Sequence, residues 1–326
     1  MFVAILLIYR GLNDSVPFLL TLALGAILSY CTLVSIRLVR HHDVVLNRMR
    51  LRHAGSLTGC GVAFIACMLL LGTFTIHSAF VRYSVFQGER LYTRISHMRK
   101  PDANIADRSI AHLTRAQSWR LISLDRIERM LGDLFAKRQR WVEAENSRRR
   151  LLERRPQDAY AREQLAFALA EQGRLDEAGQ EYAYSLELDP NRAEPHYGLA
   201  GVHFEAGRPD LAEDYLRRAL RIRLHFAVAH YELGALLVER GVVDEGIYHL
   251  RECVRLNPQY GDAYYNLAVA LATRGAFNEA TVEIENAISL QPEDEQTQRF
   301  RAFLRSLVRD EQREAEQAVG ARDLSR

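Results

Sequence analysis

Apolar residues in the second half of the chain recur at helical spacing and again at a longer fixed period. Tyr264–Leu271, for example, places its apolar residues as an amphipathic helix would. Between Asp125 and Pro292 the pattern returns every 34 residues, so that equivalent positions form columns. One column is Leu131, Leu165, Leu199, Leu233 and Leu267; a column of small residues is Ala144, Ala178, Ala212, Gly246 and Ala280; a proline column is Pro156, Pro190, Pro258 and Pro292, with Leu224 in its remaining position. Several columns in phase predict five repeated helical units.

Two further features predict where the helices of each repeat end. A glycine column holds Gly173, Gly207, Gly241 and Gly275, with Gln139 in the first repeat. Glycine takes the left-handed conformation after a helix at least cost, so the first helix is expected to stop there. The proline column then ends the second helix. Each repeat is therefore predicted to be an antiparallel helical hairpin whose neighbours complete its core.

This pattern resembles the tetratricopeptide repeat (TPR) in five consecutive copies. The resemblance implies an all-α fold in which residues 125–292 form a right-handed helical solenoid, with repeats at 125–158, 159–192, 193–226, 227–260 and 261–292. Residues 83–124 are predicted to be a helical linker or a degenerate capping half-repeat, because Ile110, Leu113, Ala116 and Trp119 lie at helical spacing. Residues 293–326 are predicted to form a capping helix, carried by Phe300, Phe303, Leu304 and Leu307, and a charged tail that frays.

The beginning of the chain is far more apolar than the repeats. Pro17–Ile36 and Leu57–Val81 lack charged residues, and each is long enough to cross a bilayer as a helix. Residues 1–82 are therefore predicted to be a membrane anchor with spans at about 17–39 and 57–81. The loop between them is rich in arginine, which favours the cytoplasmic side, although arginines also follow the second span. The expectation is an integral protein of a bacterial inner membrane, in contact with the lipid bilayer, with its repeats in the periplasm.

The resemblance also implies which residues bind a partner, because the first helices of TPR repeats line a concave groove. The predicted groove residues are Arg126, Arg129, Tyr160, Glu163, Phe167, Tyr197, Phe204, Tyr231 and Tyr265. Three of these tyrosines recur at the repeat period and would form an aromatic ladder for an extended peptide or a helix of a protein partner. The alternative is that the tyrosines pack against neighbouring repeats and contribute to the core. The lysine and asparagine clamp of TPR domains that bind chaperone tails is not found in these columns.

Composition and motifs give little indication of chemistry. The net charge of +2 argues for no particular partner class, and no nucleic acid is expected. The four cysteines have no CxxC spacing, and no nucleophile constellation or phosphate-binding glycine loop is found, so catalysis, a metal and a cofactor are not expected. Arginine runs on the second helices, such as Arg148–Arg150, are expected to face solvent.

These observations favour a membrane-anchored scaffold or adaptor, an accessory or assembly subunit of a membrane protein complex. Two alternatives remain open. The layout of two spans and a periplasmic TPR domain is similar to that of a cytochrome c biogenesis chaperone that holds apocytochrome. His77, within the second apolar stretch, could instead ligate a haem or pigment in a membrane subunit.

Overall fold

The computed structural model describes residues 43–46, 49–98, 102–118 and 124–323, together with 30, 33, 34, 36–38 and 40. Apart from a few positions near its end, the predicted span at Pro17–Ile36 lies outside the described residues. The chain divides into two compact units, Met1–Arg154 and Arg155–Arg326. Helices and strands are numbered below in chain order within the described residues.

The first compact unit contains a small antiparallel sheet that the sequence pattern does not predict. Its strands are β1 (Val44–Leu46), β2 (Met49–His53) and β3 (Ser56–Leu57), in the order β1-β2-β3. Ala54 and Gly55, with φ of 48° and 79°, make a two-residue turn between β2 and β3, as tight hairpins require. Such short strands leave too few alternating positions for a sequence pattern to detect.

Helix α1 (Gly59–Ser96) follows the sheet and contains all but the first two residues of the second apolar stretch. Its N-terminus is capped by Thr58, whose side-chain oxygen accepts a hydrogen bond of 3.1 Å from the backbone N–H of Gly61. Helix α2 (Ala103–Ser118) packs against α1, and the Ser109 hydroxyl donates to the carbonyl of Gly88 at 2.8 Å. Ile110, Leu113 and Ala116 are buried, as their spacing predicts.

The membrane prediction is wrong for this part of the chain. No helix among the described residues combines the length and the apolar character needed to cross a bilayer. The apolar stretch instead begins in β3 and continues in α1, without a break, into a charged segment that contains Arg82, Glu89, Arg90 and Arg94. Its Phe64 and Ile65 pack against a small cluster formed by Val34, Leu38, Val44 and Leu51, while other apolar side chains such as Leu69 stay exposed. The expected integral location in a bacterial inner membrane, with periplasmic repeats, is therefore corrected.

Helices α3 (Leu124–Lys137) and α4 (Trp141–Arg154) complete the first compact unit as a hairpin. Arg148, expected to face solvent, is only 1% exposed. Its guanidinium pairs with Asp133, which also accepts a hydrogen bond of 2.7 Å from the Tyr92 hydroxyl. A Cβ at Gly132 would lie 2.7 Å from the same guanidinium, so glycine leaves the space that this side chain occupies.

The second compact unit consists of helical hairpins at the predicted period. Its helices are α5 (Ala159–Ala170), α6 (Leu175–Leu188), α7 (Ala193–Glu205), α8 (Pro209–Ile222), α9 (Ala227–Glu239), α10 (Val243–Leu256), α11 (Gly261–Thr273), α12 (Phe277–Leu290) and α13 (Glu295–Asp323). The first and the second helices of these hairpins each begin 34 residues after their counterparts. The glycine column has φ between 69° and 84°, and Gln139 has φ of 56°, which confirms the prediction for helix ends.

The core of each hairpin follows the predicted columns, since the leucine column and the small-residue column are buried. At the end of the stack, Leu304 of α13 is fully buried in the last core cluster. Helix α13 continues to Asp323, where the sequence predicts a frayed tail. In the residues that the structure describes, the fold is thus an all-α TPR-like solenoid preceded by a small sheet.

Candidate functional site

A cleft in the second compact unit suits a ligand and is formed mainly by α5, α7 and α9, the first helices of three successive hairpins. The cleft has a volume of about 630 Å³. Phe167 of α5, Tyr197 and Phe204 of α7 and Ala235 of α9 contribute its apolar lining. The sequence predicted the first three as groove residues, and the structure brings them together.

Two aromatic side chains on this surface are unusually accessible. Phe167 is 41% exposed and Phe204 is 51% exposed, although burial of a phenylalanine is worth roughly 2 kcal/mol. Gly201, three residues before Phe204 on α7, also lines the cleft, and an added Cβ there would meet no atom within 4 Å. Glycine in a helix interior lowers stability relative to alanine, and here it also leaves the cleft open.

Four carboxylates also line this cleft. Glu171, Glu205 and Glu239 occupy one column at the 34-residue period, and Glu232 lies about two turns before Glu239 on α9. The lining of the cleft includes these four acids and no lysine or arginine. Partial desolvation of the carboxylate raises the pKa of Glu232. The sequence showed the column of glutamates, but attention to the aromatic columns left it out of the predicted site.

The predicted tyrosine ladder is engaged in contacts between neighbouring hairpins. Ring centroids lie 5.3 Å apart for Tyr197 and Phe226, and 4.8 Å apart for Tyr231 and Tyr260. Tyr265 packs edge-on against Phe300 at 5.6 Å. Burial raises the pKa of Tyr197 to about 12 and also raises the pKa of Tyr231. The tyrosines therefore contribute to the core, as the alternative reading of the sequence expected, and Tyr197 also borders the cleft.

Two of these tyrosines line a smaller and more polar depression of about 450 Å³. The Tyr231 hydroxyl accepts a hydrogen bond of 3.1 Å from Asn266, and the Tyr265 hydroxyl accepts one of 2.9 Å from Gln296. Asp262 and Asp294 also border it. Because these hydroxyls already have partners within the chain, this depression offers less to a ligand than the aromatic cleft.

Glu163 and Tyr160 of the predicted set lie beside Arg192. Glu163 is buried, and Arg192 donates to its carboxylate at 2.6 Å and 2.9 Å. Burial nevertheless raises the pKa of Glu163, because desolvation outweighs this pairing. The Arg192 guanidinium also lies 5.6 Å from the centroid of the Tyr160 ring. These two residues are thus committed to contacts within the chain.

Arg126 and Arg129 belong to the first compact unit, where both are exposed on α3. Arg126 lies 3.3 Å from Glu89, and the backbone carbonyl of Arg129 accepts a hydrogen bond from Arg148. His77 is partly buried on α1. Among the described residues, no group of three or more His, Cys, Asp or Glu side chains could hold a metal ion.

Comparison with protein families agrees with this architecture. Two models described as tetratricopeptide repeat match residues 169–231 and residues 129–193 with 227–295, and together they cover about half of the chain. The chain is a tetratricopeptide-repeat protein. The TPR matches extend from α3 to the start of α13, which includes all three helices of the aromatic cleft. No curated protein matches the sequence significantly.

Solved structures show the same fold at low sequence identity. A structure of pilF from Pseudomonas aeruginosa has a TM-score of 0.55 and 17% identity, covering 71% of this chain and 99% of its own. The APC/C hetero-tetramer Cut9–Hcn1 has a TM-score of 0.50 and 17% identity, covering 65% of this chain and 44% of its own. A crystal structure of MamA has a TM-score of 0.44 and 22% identity, covering 52% and 92%. At such identities the pilF and Cut9–Hcn1 similarities establish the TPR fold alone.

Proposed function

We propose that this TPR protein is a scaffold that holds a segment of a partner protein in the aromatic cleft of α5, α7 and α9. The observation that carries the proposal is the pair of exposed phenylalanines, Phe167 and Phe204, in the lining of a cleft that is open at Gly201. Clefts lined by aromatic side chains with a few polar groups suit an extended peptide or a helix. The other predicted groove residues, Tyr231 and Tyr265 in particular, would support the cleft by fixing neighbouring hairpins.

A site-specific cross-link tests this proposal. A photoreactive phenylalanine analogue at Phe204 should capture one dominant protein in cells, identified by mass spectrometry, and the purified partner should then bind the purified scaffold. The same analogue at Tyr248, which is 59% exposed on α10 and does not line the cleft, is the matched control. Equal capture from both positions, or none from Phe204, would contradict the proposal.

Neither alternative from the sequence gains support. The likeness to an apocytochrome chaperone rested on two membrane spans, and the described part of the predicted pair does not span a membrane. The pigment hypothesis rested on His77 within such a span. Both are therefore set below the scaffold proposal.

A further inference from the structure

We propose that the partner segment held in the aromatic cleft is cationic, with lysine or arginine residues next to a bulky apolar side chain. This inference rests on the proposed function and adds the chemistry of the occupant. The apolar surface alone would accept many peptides. The charged residues of the lining favour a cationic peptide over other peptides, because every one of them is a glutamate.

The position of three glutamates strengthens the negative field at one end of the cleft. Glu205 and Glu239 are the last residues of α7 and α9, and Glu171 follows the last residue of α5. A helix C-terminus carries a partial negative charge from its free carbonyls, so an acidic residue there lowers helix stability by about 0.3–1 kcal/mol. Three successive hairpins repeat this unfavourable placement. A cation bound near these carboxylates would interact favourably both with them and with the helix C-termini.

The cleft glutamates differ from glutamates on the second helices, which form ion pairs with arginines of the same chain. On the second helices, Arg217 contacts Glu245 at 2.7 Å and Arg251 contacts Glu279 at 2.5 Å. In the described part of the chain, none of the four cleft glutamates forms an ion pair. The chain is rich in arginine, yet none of it lies in this cleft. The cleft therefore presents carboxylates that remain available to an external cation.

The apolar lining decides which cation fits. Phe167, Phe204 and Ala235 offer contact to an apolar side chain, which a small polyamine or a fully polar basic peptide cannot fill. The open space beside Gly201 leaves room for that side chain on α7. A segment with a basic residue next to a bulky apolar side chain complements both the charge and the apolar lining of the cleft. An acidic segment would instead place like charges together.

Peptide display on the purified full-length protein tests the inference. Random twelve-residue peptides should be enriched for lysine or arginine flanking phenylalanine, leucine or tryptophan. A synthetic peptide from the enriched set should bind at least tenfold more tightly than its copy with glutamate at each basic position. Its affinity should fall as sodium chloride rises from 50 to 500 mM, because exposed charges are screened.

Variants then assign the binding to this cleft. The double variant Glu205→Lys/Glu232→Lys should weaken the cationic peptide at least tenfold and improve the binding of the acidic copy. Glu187→Lys is the matched control, because Glu187 is an exposed carboxylate on α6 outside the cleft lining. Gly201→Phe should fill the cleft and abolish binding, whereas Gly201→Ala should retain it. Circular dichroism spectra and unfolding midpoints confirm that each variant is folded.

The outcomes separate this inference from the proposed function. Enrichment of acidic or uncharged peptides whose binding is lost in Gly201→Phe would overturn the cationic inference and leave the scaffold proposal standing. Cationic peptides that bind Glu205→Lys/Glu232→Lys as well as the wild type would also overturn it. If no peptide class binds and Phe204 captures no partner, both proposals fail. Self-association that disappears in Gly201→Phe, measured by sedimentation, would replace an external partner with a second copy of this chain.

Discussion

The cleft and the outer surface of the second compact unit differ in whether their glutamates form ion pairs within the chain. Outside, arginines and glutamates of successive second helices pair, and Arg217–Glu245 recurs 34 residues later as Arg251–Glu279. In the cleft, the glutamates at Glu171, Glu205 and Glu239 also recur at this period but have no ion pair within the described residues. The same repeat thus carries one set of charges that joins neighbouring hairpins and another that faces a ligand.

The difference teaches how to separate structural from functional positions in a repeat protein. A charge that recurs at the repeat period is not informative alone, because both surfaces show this recurrence. What distinguishes them is whether a neighbouring repeat supplies the opposite charge. Open space gives the same distinction: Gly198 and Gly201 lie on one helix, but an added Cβ would meet a side chain at Gly198 and nothing at Gly201.

The largest expected effect is a loss of stability at low pH, and it tests whether buried polar side chains also find their hydrogen-bond partners within the chain. His230 and His249 are buried with their Nδ1 atoms 2.8 Å apart, and the Nε2–H of His230 donates to the carbonyl of Leu224 at 3.0 Å. His230 Nδ1 must therefore accept a hydrogen bond from His249. Burial, with a smaller contribution from His230, lowers the pKa of His249 to about 4, although Glu245 lies 3.9 Å from its Nε2 atom.

The sign of the pH effect follows from this pKa. Between an unfolded pKa near 6.5 and a folded pKa near 4, the unfolded chain binds a proton that the folded chain does not. Stability is fully present above the unfolded pKa and falls as the pH drops, by at most about 3 kcal/mol. Urea unfolding at pH 7 and pH 4.5 measures this loss. His249→Asn, which keeps a donor without titrating, should flatten the dependence; an unchanged pH profile in this variant would exclude His249 as its source.

The hydrogen bond from His230 to the carbonyl of Leu224 also shows what the sequence could not predict. The period, the helix ends and the buried leucines follow from residue types that recur, so the sequence predicted them. The backbone carbonyls of the proline column accept hydrogen bonds from chemically different side chains six residues later. These donors are Arg162 to Pro156, His230 to Leu224 and Gln298 to Pro292. A pattern search compares residue types, so it does not detect a hydrogen bond that recurs in successive repeats with a different donor each time.

The candidate site divides along similar lines. Phe167, Tyr197 and Phe204 were predictable because aromatic residues at groove positions stand out. Exposure, however, depends on neighbours that the sequence does not place, so the tyrosine ladder and the phenylalanines could not be told apart. Arg148 was misjudged for the same reason, because an arginine run predicts a solvated face unless Asp133 and the space left by Gly132 are known.

Alanine substitution at two glycines of α7 should give opposite results. A Cβ at Gly198 would lie 2.2 Å from Cζ of the buried Tyr182, so Gly198→Ala should lower the free energy of unfolding by about 2 kcal/mol. Gly201→Ala meets nothing and should raise it by up to about 1 kcal/mol. Urea titration of both variants measures the difference. Equal destabilisation would show that the cleft is packed at Gly201, against the open surface described above.

The smallest effect tests the charge comparison directly, by neutralising one glutamate on each surface. Glu279→Gln removes a pair in which Arg251 and Glu279 are 51% and 54% exposed, so it should lower the free energy of unfolding by about 0.5 kcal/mol. Glu205→Gln removes an unpaired charge at the C-terminus of α7 and should raise it by about 0.5 kcal/mol. Both changes should shrink in 0.5 M sodium chloride, because both are electrostatic and near the surface. Thermal unfolding of the two variants and the wild type shows whether each substitution raises or lowers stability. A loss of stability in Glu205→Gln would mean that this carboxylate stabilises the folded chain. The distinction between the two surfaces would then rest on Gly201 and the exposed phenylalanines alone.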